Sequence, residues 1–96
     1  MHAVVRSYSG QGASELFHLL GQREKDVNAL ISEVPGFVSY VAIAGGGGGV
    51  TVTVCEDKAG TDESTRRAAD WVRENLSATV DPPAITEGDT VLQFSA

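Results

Sequence analysis

Two arginines are the residues most open to chemistry in this sequence. Arg23 falls at helical spacing among Leu16, Leu19, Leu20, Val27, Leu30, Ile31 and Val34. At about 100° per residue it lies within about 20° of Leu16 and Leu30 around the helix axis. A cation inside an apolar stripe must snorkel, pair with a buried carboxylate, or face a ligand cavity, where it would hold an anionic or carbonyl group. Arg6, in the first apolar run, has the same alternatives. Trp71 sits at the edge of a second helical stripe, where it either seals a core or dimer contact or stacks on a ligand. Tyr8 and Tyr40 could donate hydrogen bonds within a cleft, although the sequence leaves open which sheet face each occupies. Arg23, Trp71, Tyr8, Tyr40 and Arg6 are thus the ligand-binding candidates.

The remaining reactive types are less promising. His18 lies well off the stripe and is expected to face solvent, and His2 to be the frayed start of a strand. Neither has a neighbour at ligand spacing, so no metal site is expected. Cys55 reads as a buried, inert thiol; Glu56 could be a general base if buried, but its place just before a helix more readily suggests a capping or surface role. The five consecutive glycines from Gly45 to Gly49 join strand to strand and are not followed by Lys-Ser/Thr. A phosphate loop needs a helix N-terminus after the loop, so a flexible hairpin is expected. No Ser-His-Asp order and no paired carboxylates in an apolar setting appear, which leaves catalytic residues unassigned. Catalysis without them needs a reactive substrate, a dry shaped pocket and one or two hydrogen bonds.

The elements that would position these residues follow from periodicity. Residues 3–8 are β-branched and aromatic and predict a strand. Ser14 reads as the N-cap of one long amphipathic helix ended by Pro35-Gly36, with Gly21 weakening its middle. Residues 37–44 and 50–56 predict two strands of a hairpin. Residues 62–76 predict a second helix capped by Thr61 or Asp62, with Asp62–Arg66, Glu63–Arg67 and Arg66–Asp70 as ion pairs one turn apart. Glu87-Gly88-Asp89 reads as a turn, and 90–95 (TVLQFS) as the last strand. The order β-α-β-β-α-β predicts an α+β ferredoxin-like plait, a four-stranded antiparallel sheet with two helices on one face. The strands alternate poorly: Val41-Ala42-Ile43-Ala44 is continuous, and Val50, Val52 and Val54 alternate only with Thr51, Thr53 and Cys55. Both sheet faces therefore look partly buried, and a second copy of the chain is the simplest cover for the far one.

Composition bounds the rest. The 96 residues carry 7 Lys+Arg against 13 Asp+Glu, a net charge of −6, with 42% hydrophobic residues. That predicts one folded domain spanning 1–96. The acidic balance argues against nucleic acid or an anionic membrane surface as partner. The single Cys55 cannot form an internal disulfide, and no leader or membrane-spanning run is evident. A cytoplasmic setting is therefore expected.

The order of elements, Pro35-Gly36-Phe37 after the first helix, and Glu56 closing the third strand resemble the dimeric α+β barrel superfamily. Within it the chain is similar to the antibiotic biosynthesis monooxygenase-like proteins. The run EDKAG…RRAADWVREN (56–75) is similar to that of uncharacterised small bacterial members. The resemblance covers nearly the whole chain and implies a homodimer with sheets face to face. It also implies a ligand, a small aromatic or other apolar molecule, in a cleft between sheet and helices, and no cofactor. The family's activities include cofactor-free oxygenation of aromatic quinols, haem degradation, isomerisation and lactone chemistry. Haem-degrading members carry a tryptophan at the end of the third strand and a histidine in the next helix. Here those places hold Cys55 and no histidine, which disfavours haem degradation. The resemblance implies a small-molecule-binding protein similar to the cofactor-independent monooxygenases, with an unassigned or weak oxygenase activity. A non-catalytic ligand-binding or sensor protein and a structural dimerisation module are the alternatives.

Overall fold

A computed structural model describes residues 1–96. The chain runs β1 (His2–Tyr8), α1 (Ala13–Gln22), α2 (Glu24–Ser32), β2 (Phe37–Gly45), β3 (Gly48–Cys55), α3 (Lys58–Asn75) and β4 (Ala84–Asp89). The strands form one antiparallel sheet in the order β2-β3-β1-β4. This is the expected ferredoxin-like arrangement, with the first helix divided in two. Gly46 and Gly47 take positive φ, 62° and 77°, and close the β2–β3 hairpin as a two-residue turn.

The helix divides at Arg23, whose φ of −113° and ψ of 34° interrupt the regular backbone. The break lets α1 pack on β3 and α2 on β2. Ser14 does not cap α1: that place belongs to Gly12, and the Ser14 hydroxyl instead donates to the Gly47 carbonyl at 3.1 Å. α3 starts earlier than expected, at Lys58, because Asp57 Oδ1 accepts from Gly60 N at 3.3 Å and caps it. Asp62 consequently pairs with Lys58 and not with Arg66, whereas Glu63–Arg67 and Arg66–Asp70 form as expected.

The last strand is also displaced from the expected 90–95. β4 covers 84–89, including the Glu87-Gly88-Asp89 expected to turn, and 90–96 lie outside the sheet. The register explains this. β4 pairs from Ser7↔Ala84 to His2↔Asp89, and Thr90 N donates to the Met1 carbonyl. The ladder with β1 ends at that point. Val91, Leu92 and Phe94 are therefore left exposed despite their strand propensity.

Register also settles the sheet parity that the sequence left open. Arg6 faces Thr51, Val4 faces Thr53, Tyr8 faces Gly49, and Tyr40 faces Thr53. Arg6 and His2 both bond to α3, so this set lies on the helix side. A bulge at Val38 puts Phe37, opposite Cys55, on the same side. The opposite face carries Ala3, Val5, Val41, Ile43, Val50, Val52 and Val54, with no helix over it. The alternation of β3 is thus inverted from the usual pattern: its threonines look towards the helices and its valines look away.

Candidate functional site

Arg6 is the centre of the helix-side face. It is 1% exposed, and every N–H it carries meets a hydroxyl. Nε and Nη2 donate to Thr65 Oγ1 at 3.3 and 2.9 Å, Nη2 also to Ser64 Oγ at 2.7 Å, and Nη1 to Thr51 Oγ1 and Thr53 Oγ1 at 3.4 and 3.1 Å. β1 supplies the arginine, β3 two acceptors one pleat apart, and α3 two acceptors at adjacent positions. Arg6 takes part in none of the ion pairs. Burial pushes its guanidinium below the usual arginine range. Burial likewise pushes the phenols of Tyr8 and Tyr40 up, against the pull of Arg6, so both are protonated donors at neutral pH. Burial raises the Cys55 thiol too, as suits an inert cysteine.

Two cavities flank this centre. One is an open cleft of about 700 Å³ between α1–α2 and β2, walled by Phe17, Leu20, Val27, Ile31, Phe37 and Tyr40. At its floor a space of about 20 Å³ reaches Tyr8, Trp71 and Val72. The second cavity, about 500 Å³, lies beneath the 76–83 segment, against Arg6, Tyr8, Thr65, Val72 and Ile85. Tyr8, packed edge-on against Phe17 with ring centroids 5.8 Å apart, and Val72 form the partition between the two.

The five candidates are therefore divided. Tyr40 lines the open cleft, Trp71 its floor, and Tyr8 the partition, while Arg6 lies across it. Arg23 stands apart from both cavities. It is exposed at the helix break, 2.6 Å from Asp26, with Nη2 donating to Asn75 Oδ1 at 3.4 Å. The angular argument fails there because the regular helix ends at that residue. His2 is not frayed. It is buried, with Nδ1 2.7 Å from Thr61 Oγ1 and Nε2 3.7 Å from Glu87. His18 is exposed. No group of three His, Cys, Asp or Glu side chains gathers in a way that would hold a metal ion.

The hydroxyl cluster of Thr51, Thr53, Ser64 and Thr65 escaped the sequence reading. Its signal was present: threonines alternating with valines in β3, opposite an arginine in β1. Phe17 and Phe37 escaped too, because an aromatic in an amphipathic helix reads first as core.

No family model matches the sequence, and no curated protein matches it. Solved structures match the fold over nearly the whole chain. A protein of unknown function from Nitrosomonas europaea superposes with a TM-score of 0.69 at 16% identity, covering 99% of this chain and 92% of that one. A haem-degrader of Mycobacterium tuberculosis with two haems bound in its active site gives 0.67 at 15% identity, covering 99% and 100%. A monooxygenase of Streptomyces coelicolor in complex with nanaomycin D gives 0.62 at 21% identity, covering 99% and 90%. The chain thus shares the ferredoxin-like α+β fold of these proteins. No helix is long and apolar enough to cross a membrane.

Proposed function

We propose that the protein binds a small aromatic or other apolar molecule in the cleft between α1–α2 and β2, and does so as a homodimer whose sheets meet face to face. The observation that carries the ligand is the cleft. It is about 700 Å³, within the range of small-molecule sites, and mostly apolar with few polar groups. Tyr40 is the phenol on its sheet wall, protonated through burial and able to donate one orienting hydrogen bond. Phe17 and Phe37 offer ring faces to a flat ligand.

The dimer reading rests on the far face. Val41 and Ile43 are 50% and 58% exposed there, in register with Val52 and Val50 on β3. A contiguous apolar patch on a sheet with no covering layer marks an interface.

The chemistry open to this cleft is oxygenation of an electron-rich ligand without a cofactor. The chain would supply shape, exclusion of water and the Tyr40 hydrogen bond, and the substrate its own reactivity towards oxygen. The fold shared with the Streptomyces coelicolor monooxygenase supports this class. A non-catalytic carrier is the second reading, favoured because Tyr40 and Glu24 are the only titratable groups lining the cleft.

Trp71 is the single tryptophan and sits at the cleft floor, so its emission reports occupancy. Titration with dihydroxynaphthalene should quench it saturably, and Ala42→Phe, which fills the cleft from β2, should abolish the quenching. Oxygen uptake stoichiometric with ligand assigns the oxygenase; saturable binding without uptake assigns the carrier. Absence of saturable quenching overturns the ligand reading.

A further inference from the structure

The second cavity, across the Tyr8–Val72 partition, serves no part of that reading. We propose that it is a separate binding site for an amphipathic monoanion, an apolar chain or ring ending in one carboxylate, held by the Thr65 hydroxyl in the field of Arg6.

Arg6 is a buried cation whose partners are all neutral. Five hydrogen bonds to hydroxyls satisfy its donors but not its charge. No carboxylate contacts Arg6, and Glu87 acts on it only from a distance; a buried charge without a contacting counterion is costly, and an anion placed nearby relieves that cost. Thr65 is where the charge reaches the cavity. Its Oγ1 accepts from both Nε and Nη2 of Arg6, and its own proton goes to no protein acceptor. A helical hydroxyl commonly returns its proton to a carbonyl of the preceding turn. Ser64 does so, to Thr61 O at 2.7 Å; Thr65 does not. A hydroxyl polarised by two charged N–H donors is itself a strengthened donor.

The rest of the cavity fits the other end of such a ligand. Ala69, Val72, Leu76, Val80, Pro82 and Ile85 line it, and its volume of about 500 Å³ admits a chain of medium length. Two further charges line it, and each is already engaged. Arg73 is bonded to Asp70, and Asp81 accepts from Gln11 N. They are of opposite sign, so Arg6 supplies the net charge. The wall chemistry selects the headgroup. With every guanidinium proton of Arg6 committed, the donors that remain are the hydroxyls of Thr65, Tyr8 and Thr79. Neutral hydroxyls beside a single buried cation suit a singly charged carboxylate better than a doubly charged phosphate.

Calorimetric titration of the purified full chain with octanoate tests this, with octanamide as the neutral isostere. Octanoate should bind saturably and at least about tenfold more tightly than octanamide. Thr65→Val should remove that preference and Thr65→Ser should keep it. Ala69→Phe fills the cavity while removing none of Arg6's hydrogen-bond partners and should abolish octanoate binding, a result that does not depend on the stability of the Thr65 variants. Ala42→Phe, in the other cleft, should leave octanoate binding unchanged, so either reading can fail while the other stands. Equal affinity for octanamide, octanoate binding that survives Ala69→Phe or is lost in Ala42→Phe, or no saturable octanoate binding would each overturn the proposal.

Discussion

Arg67 reaches from α3 to α2 and donates a 3.0 Å hydrogen bond to the Leu30 carbonyl, while its Nε holds Glu63 at 2.9 Å. Leu30 lies in the last turn of α2, where carbonyls have no partner within the helix. The cation therefore caps one helix from the side of another and also meets the negative end of its dipole. α2 carries Val27 and Ile31, two walls of the open cleft, so this bond helps fix the width of the site.

Replacing Arg67 by Met should remove the cap while keeping most of the stem's packing. A loss of about 1–2 kcal/mol in urea unfolding is expected. Dihydroxynaphthalene binding should weaken in parallel, because α2 is less firmly placed.

Glu63 predicts an acid transition. Hydrogen bonds from Arg66 and then Arg67 hold its carboxyl at about 2, below the ordinary carboxylate value of 4.5. The folded value is the lower one, so its contribution is complete above about pH 4.5 and is lost as pH falls towards 2. Urea midpoints measured between those limits should fall with pH, and less steeply for Glu63→Gln. Identical slopes for the two proteins would show that Glu63 contributes nothing to acid stability.

Much of this arrangement was legible beforehand, and the exceptions have physical causes. The strand–helix order followed from Val and Leu periodicity, and the hairpin from glycines between two β-branched runs. The break at Arg23 was not visible, because a stripe continues in sequence even where the axis bends. The last strand was misplaced since TVLQF has higher strand propensity than AITEGD, and propensity takes no account of which segment the tertiary register brings alongside β1. Arg6 was visible as a candidate. Its hydroxyl shell was not, because Ser64 and Thr65 approach it only through tertiary packing.

Two glycines should respond oppositely to alanine. At Gly21 an added Cβ meets nothing within 4 Å, so Gly21→Ala should stabilise α1 by up to about 1 kcal/mol. At Gly49 it would lie 2.6 Å from the Phe17 ring and clash with the Ile43 carbonyl. Gly49→Ala should cost on the order of 2 kcal/mol, since the backbone clash cannot be relieved by a rotamer change. Thermal melts of the two variants check both signs.

Ile43→Glu tests the sheet-to-sheet contact. The side chain is 58% exposed in the single chain, so a charge there should disturb the fold little. Facing a second sheet it would be buried without a partner. Native mass measured at about ten micromolar should show dimer for the parent and monomer for the variant. A parent that is monomeric at that concentration would sink the dimer reading.

The outward valines of β3 carry a consequence for how the molecule responds to dilution. Their hydrophobic gain arrives on encounter with a second chain, while the inward threonines contribute hydrogen bonds to Arg6. If the sheets meet as proposed, melting temperature becomes a function of protein concentration. Small losses at Val50 or Val52 would then pass unnoticed in a concentrated sample and emerge only at scarce expression levels, so abundance would act as a hidden parameter of this fold.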